Sequence, residues 1–359
     1  MTFESSTARR GASSSLRGGF RRAALVGSGL ALATLLVRLP ARGAEPKERP
    51  IAVVDLHVDL PYRHNYRDGS FAESSGQFPA RKLARAGVVG VVLPLFVPKS
   101  HAPEGPRFSD FETSYKGVLA EIRKTPPYLP PGCVETPGRV RTFLAFEGAG
   151  AFAEDPKRLD EWVGRGVRSL GLVHTKANAL ASSSGDAKPM PFGLTRAGKA
   201  LVERAHRLRV PIDVSHASDR AVEDVIELSR RSGVPTIATH SNARALADHP
   251  RNLTDEQIRA IASTGGVIGV NFHSRFLASG RRATLADVVA HVLHLVKVAG
   301  VQHVAIGSDF EGDINPPAEL ADVGGFPRLA SALERAGLSR DDVRRIFSRN
   351  ALRILCGEK

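Results

Sequence analysis

The sequence predicts an α/β protein, a single (β/α)8 TIM-type barrel with helical elaborations. Three observations carry that expectation: beyond residue 50, short β-branched apolar runs alternate with longer amphipathic stretches; there are eight such runs; and no Gly/Ser-rich linker or internal repeat divides them. The strands are expected at residues 51–59, 88–97, 140–147, 167–174, 210–216, 235–240, 266–272 and 301–309. The helical patterns between them include residues 195–208, 218–230, 254–263 and 285–299, several opened by a Ser or Thr suited to an N-cap. A Pro-rich stretch at 125–137 and a Ser-rich one at 181–191 are read as long loops, placed where barrels carry specificity. A doubly wound open sheet is the alternative architecture.

Residues 1–44 are set apart as an export signal, removed on maturation, or as an N-terminal anchor; residues 45–359 form the folded domain. An Arg-rich stretch through Arg21 and Arg22 precedes an apolar run at 23–37 and small residues at 41–44. The run is shorter than the roughly 20 residues a membrane span needs. The paired arginines fit a twin-arginine signal and a general secretory signal about equally. This segment holds seven Arg and one Glu, net +6, leaving +7 of the total +13 for the mature chain. The mature basic residues are scattered over helices without interleaved aromatics, which excludes a nucleic-acid stripe. Cys133 and Cys356 fit one disulfide or two thiols equally well, and they are too few for a Cys-rich metal site.

The ionisable residues gather at strand C-termini, which a barrel brings to one mouth. The first strand ends His57-Val-Asp59, the third Phe-Glu147-Gly; His174, His216 and His240 end the fourth, fifth and sixth, and Asp309 ends the eighth. Such groups in one pocket repel or desolvate each other unless cations lie among them. His57 and Asp59, two apart, share a strand face, and with Glu147, His216 and His240 they make an imidazole and carboxylate set suited to Zn²⁺ or a similar ion. Glu147 can bridge two metals, and two ions about 3.5–4 Å apart can hold a shared hydroxide. Asp309 reads as the general base and acid, or as a carboxylate capping the next helix. His174 reads as a carbonyl-polarising group, or as a structural hydrogen-bonding one. His206, His291, His294 and His303 lie in helical patterns or at a strand start and are read as structural; His291 and His294 lack a third ligand.

In order along the mature chain, Asp55-Leu-His-Val-Asp-Leu-Pro61, Phe146-Glu-Gly148, Gly193-Leu-Thr-Arg-Ala-Gly-Lys199, Ile212-Asp-Val-Ser-His216, Thr239-His-Ser241, Gly265-Gly-Val-Ile-Gly-Val-Asn-Phe272 and Gly307-Ser-Asp-Phe310 resemble the membrane (renal-type) dipeptidase family, binuclear zinc peptidases among the amidohydrolase-like barrels. The resemblance implies that His57 and Asp59 hold one zinc, His216 and His240 the other, and that Glu147 bridges them. It also implies an acid/base role for Asp309 and substrate binding by His174 and Arg251; by chemistry alone Arg251 is a loop residue with a fork suited to a carboxylate. The implied function is hydrolysis of dipeptides by a metal-bridging hydroxide, with a D- or dehydro-residue accepted at the C-terminal position. Two divalent ions are expected, zinc first, though the ligand types also suit manganese and cobalt. An exported, periplasmic or extracellular location is expected, with dipeptide substrates, peripheral or N-terminal membrane association and a homodimer. Leu56, Val58, Ala149 and His273 depart from the family pattern without removing a ligand, and bear on the side-chain subsite. The chain ends Leu-Cys-Gly-Glu-Lys, without the hydrophobic tail of lipid-anchored members. The alternatives are a barrel hydrolase acting on a lactone, cyclic amide or amidine, and a catalytically silent binding protein.

Overall fold

In a closed parallel barrel, successive strand residues face the interior and the helical shell in turn, so both sets must be apolar. The computed structural model, which describes residues 50–73 and 75–358, has this alternation. Val54, Leu56, Val92, Phe143, Ala145, Ile237 and Ala305 form an inner cluster, whereas Val53, Val91, Leu93, Leu144, Phe146, Ile268 and Val304 pack outward with the helices. The expected export segment, residues 1–44, lies outside the described residues.

The strands are β1 (Val53–Asp55), β2 (Val88–Leu95), β3 (Tyr128–Pro131), β4 (Val140–Glu147), β5 (Val167–Gly171), β6 (Ile212–Asp213), β7 (Thr236–Ile237), β8 (Ile268–Val270) and β9 (Val304–Ile306). Their order is β7-β6-β5-β4-β2-β1-β9-β8, parallel throughout, with registers such as Val91 opposite Thr142 and Asp213 opposite Ile237. A parallel bridge between Ala238 and Ile268 joins the two ends, with Gly269 N donating to Ala238 O at 2.8 Å. Eight strands therefore close into a barrel, and the open-sheet alternative is excluded. Closure presses the Thr239 carbonyl against Gly269 and Gly307, where a Cβ at either position would collide with it.

Two expectations need correction. The Pro-rich stretch at 125–137 contains β3, which pairs with the first half of β4 outside the barrel. Proline cannot donate to a ladder, but an edge strand has one face without that demand, and Thr142 Oγ1 and Gly132 N complete the pairing. Secondly, β1, β8 and β9 keep three residues each, which leaves His57 and Asp59 beyond the strand end rather than on it, and β6 and β7 keep only two. Buried Asp213 is the cause: its Oδ1 accepts the N–H groups of Ser215 and Thr239, each at 2.9 Å, replacing ladder bonds by side-chain bonds. Asp55 does the same for His57 N and Ser308 N where β1 and β9 end.

The helices follow expectation: Arg196–Arg207, Asp219–Ser232 and Asp255–Ser263 start beside Thr195, Ser218 and Thr254, each capping through its hydroxyl, and Leu285–Ala299 also forms. The C-terminal helix Asn350–Cys356 seals the barrel floor, its Ala351, Leu352 and Leu355 joining the inner cluster. Cys133 and Cys356 form a disulfide, fastening that helix to the segment after β3.

Candidate metal centre

Because all barrel strands are parallel, their C-terminal ends share one mouth. His57 and Asp59 follow β1, Glu147 ends β4, and His174, His216, His240 and Asp309 lie just beyond β5, β6, β7 and β9. Asp59, Glu147, His174, His216 and Asp309 line a cavity of about 730 Å³ there, with Phe96 on its wall.

The focus of the cluster is Glu147. Its Oε1 lies 3.1 Å from His216 Nε2, 3.6 Å from His240 Nε2 and 3.8 Å from His57 Nε2. His57 Nε2 is 3.5 Å from Asp59 Oδ2, and the Nε2 atoms of His216 and His240 are 3.0 Å apart. Two compact donor groups, His57 with Asp59 and Glu147 and His216 with His240 and Glu147, share the glutamate; His57, His240 and Asp309 form a third. The sequence-predicted ligands are therefore all brought together. The His174 ring lies 4.3 Å, centroid to centroid, from that of His216, tilted by 45°. Arg251 is set back and buried, donating from Nη2 to His240 O at 3.3 Å, so it is not a solvated loop residue.

The electrostatics suit a cation. His57 Nε2 is buried with no hydrogen-bond partner among the described residues, yet it faces two carboxylates. Burial alone would depress the His57 pKa, but Asp59 and Glu147 overrule it and raise it to about 10. Burial, reinforced by Asp59, raises the Asp309 carboxyl to about 8. Conversely, burial, helped by Arg251, holds His216 and His240 well below the ordinary imidazole value, so both keep lone pairs to offer. The carboxylates demand positive charge that two neutral imidazoles do not supply; divalent ions meet that demand and use those lone pairs.

Local backbone geometry supports the arrangement. His216 and Asp309 have φ of 70° and 65°, the left-handed region that non-glycine residues avoid and that recurs at functional sites. In the loop read at 181–191, Ser183 Oγ donates toward the carbonyls of His174 and His216, and Ser184 N donates to His216 O at 2.8 Å. Asp309 accepts from Asn271 Nδ2 at 2.9 Å, and the next helical turn among the described residues starts at Pro317 rather than at Asp309. Asn271 is held in turn by Asn242, whose Oδ1 accepts from Asn271 N at 3.1 Å. Neither asparagine stood out in the sequence; the available signal was an uncharged polar residue ending an apolar run.

The four histidines read as structural have such partners. His291 Nδ1 accepts from Ala243 N and its Nε2 donates to Leu277 O; His294 pairs with Asp255; His303 bonds Gly266 O; His206 sits between Ser229 and Ser232.

Comparison with known proteins places this geometry among relatives. Residues 45–358 match the family model described as membrane dipeptidase, peptidase family M19. A protein of Klebsiella pneumoniae, described as an uncharacterized protein in the pqqA 5' region, is 42% identical over 221 residues, 58% of this chain and 79% of that one. An uncharacterized dipeptidase of Schizosaccharomyces pombe is 32% identical over 217 residues, 60% of this chain and 52% of that one, so the match spans about half the length of that relative. Among solved structures, a metallopeptidase of Rhodobacter sphaeroides, liganded with a phosphinate mimic of the dipeptide L-Ala-D-Ala, superimposes with a TM-score of 0.75 at 27% identity, covering 85% of this chain and 99% of that one.

Proposed function

The chain belongs to the membrane dipeptidase family, and from that membership we propose that it hydrolyses the peptide bond of dipeptides, using two divalent ions, zinc first, held by His57, Asp59, Glu147, His216 and His240. One observation carries the reading: three imidazole Nε2 atoms from separate strand ends converge within 3.8 Å on one oxygen of Glu147. In this reading His57 and Asp59 serve one ion, His216 and His240 the other, and Glu147 both. When bound, the ions supply Lewis acidity at the scissile carbonyl and a water of lowered pKa.

The chain's own groups do the rest. In this reading Asp309, which accepts a hydrogen bond from Asn271 Nδ2, is the group that takes and returns a proton. It accepts a proton from the attacking water as the new C–O bond forms, and returns it to the amide nitrogen as the C–N bond breaks, so the proton count balances. His174 donates a hydrogen bond to the carbonyl oxygen as negative charge builds there. Arg251 is proposed, from the family resemblance, to hold the free C-terminal carboxylate, which favours dipeptides over long chains. It stands behind the cavity wall with Nη2 on His240 O, so its guanidinium must turn outward to reach that carboxylate. Acceptance of a D-residue at the C-terminal position rests on the dipeptide mimic bound by the Rhodobacter sphaeroides relative. Residues 1–44 are proposed as an export signal or anchor and 45–359 as the catalytic domain, exported to an oxidising compartment. The Arg-rich and apolar N-terminus and the Cys133–Cys356 disulfide support that location. Among the described residues, no helix is long and apolar enough to cross a membrane.

The test joins metal quantification to dipeptide assays. Glu147→Ala is expected to lose metal and activity together. Asp309→Asn should keep its metal while kcat falls by about 10²–10⁴. Full activity in both variants refutes the assigned roles.

A further inference from the structure

Beneath the ligand cluster, one hydroxyl touches both halves of it. Thr239 Oγ1 lies 2.8 Å from His240 Nδ1 and 3.3 Å from His57 Nδ1. These two rings, with centroids 3.8 Å apart, turn their Nε2 atoms toward Glu147. On its other side Thr239 meets Asp213, whose Oδ2 is 2.5 Å from the hydroxyl oxygen while its Oδ1 accepts Thr239 N at 2.9 Å. Ser215 Oγ, at 3.5 Å, is at the edge of hydrogen-bond range.

The donor count leaves one arrangement. Thr239 gives its single hydroxyl proton to Asp213 Oδ2. The threonine oxygen then has only lone pairs to offer, and each imidazole must present Nδ1–H to it. In the metal-bound state no proton remains on Nε2, so both Nε2 atoms offer their lone pairs toward Glu147, the tautomer and aim a metal-ligating histidine needs. His216 has no such support: its buried Nδ1 finds no hydrogen-bond partner among the described residues.

We propose that Asp213 and Thr239 are positioning residues that set the tautomer and orientation of His57 and His240 together, coupling the two metal sites through one hydroxyl. The inference rests on the metal assignment above. It deepens that assignment because each histidine serves a different ion, so a defect in this hydroxyl must reach both ions at once.

The experiment measures zinc affinity at both sites by chelator competition in wild type, Thr239→Val, Thr239→Ser and Asp213→Asn. It is paired with nitrogen-15 NMR of histidine-labelled, zinc-loaded wild type. Thr239→Val keeps the side-chain shape without the hydroxyl and is expected to weaken both sites together by about 10–100-fold; Thr239→Ser restores the affinity. Asp213→Asn, whose amide would donate to the threonine and redirect its proton toward an imidazole, should also weaken binding. The wild-type spectrum should show His57 and His240 bound through Nε2 and protonated at Nδ1, a result that does not depend on any variant folding. Coordination through Nδ1 in either residue, wild-type affinity in Thr239→Val or Asp213→Asn, or loss confined to one ion overturns the inference while leaving the metallopeptidase reading standing. A wild-type protein that binds no zinc overturns both.

Discussion

His206 shows what burial does to an imidazole with no cation to serve. Only 5% exposed, it sits 2.9 Å from Ser232 Oγ, and burial, with a smaller push from Arg209, lowers its pKa to about 4. The unfolded chain, near 6.5, takes up this proton first as pH falls. Its contribution to stability is thus present above about pH 6.5 and lost between 6.5 and 4, where the unfolded state binds more protons. In His206→Gln the stability gap from wild type should narrow over that window by up to about 3 kcal/mol, measured by denaturation at a series of pH values; a gap independent of pH would count against this account. His216 and His240 are depressed by the same burial, yet the sequence separates them from His206, because they end apolar runs whereas His206 lies inside a helical pattern. Charged groups at strand ends are legible for that reason. Thr239 and Asn271 were not, since a short uncharged side chain carries no spacing signature, and its role depends on what stands across the barrel.

At the scale of elements, legibility follows the locality of the cause. Helix starts are local: Thr254 Oγ1 accepts Gln257 N at 3.2 Å and Gln257 Oε1 accepts Thr254 N at 2.9 Å, a reciprocal cap readable from residues three apart. Strand lengths are not local. The runs at 210–216 and 235–240 look like full strands; Asp213 stands inside the first, but that its carboxylate takes the backbone donors of both Ser215 and Thr239 depends on how the two runs pair. β3 was hidden similarly, because its prolines argue against a ladder unless the neighbouring edge is known. The Thr254 cap gives a prediction at this scale. Thr254→Ala should cost about 1 kcal/mol, visible as a lower unfolding midpoint, with zinc content unchanged because the cap is local to the helix. Gln257→Ala should cost more, since Gln257 Nε2 also donates to Asp219 Oδ1 at 2.9 Å and so ties two helices together. Equal losses in the two variants would show that this tie contributes nothing.

For the whole molecule, the two ends of the barrel do different work. The mouth gathers charge, and the floor is closed by the chain's own C-terminal helix, whose Asn350 Nδ2 donates to Val301 O and Val304 O while Arg353 reaches Gly265 O and Gln302 O. The Cys133–Cys356 disulfide locks that helix across a sequence separation of 223 residues. A cross-link spanning so much chain removes many conformations from the unfolded state, and native disulfides typically contribute about 2–5 kcal/mol. The site lies at the opposite ends of the strands from the floor, so the lock should govern unfolding without entering the chemistry. Adding reductant, or replacing both cysteines by Cys133→Ser with Cys356→Ser, should therefore lower the calorimetric Tm, while zinc content and kcat at 25 °C stay at the wild-type level. An unchanged Tm would mean that apolar packing of Ala351, Leu352 and Leu355 seals the floor unaided. Loss of zinc on reduction would mean that the floor and the mouth form one cooperative unit, contrary to the separation argued here.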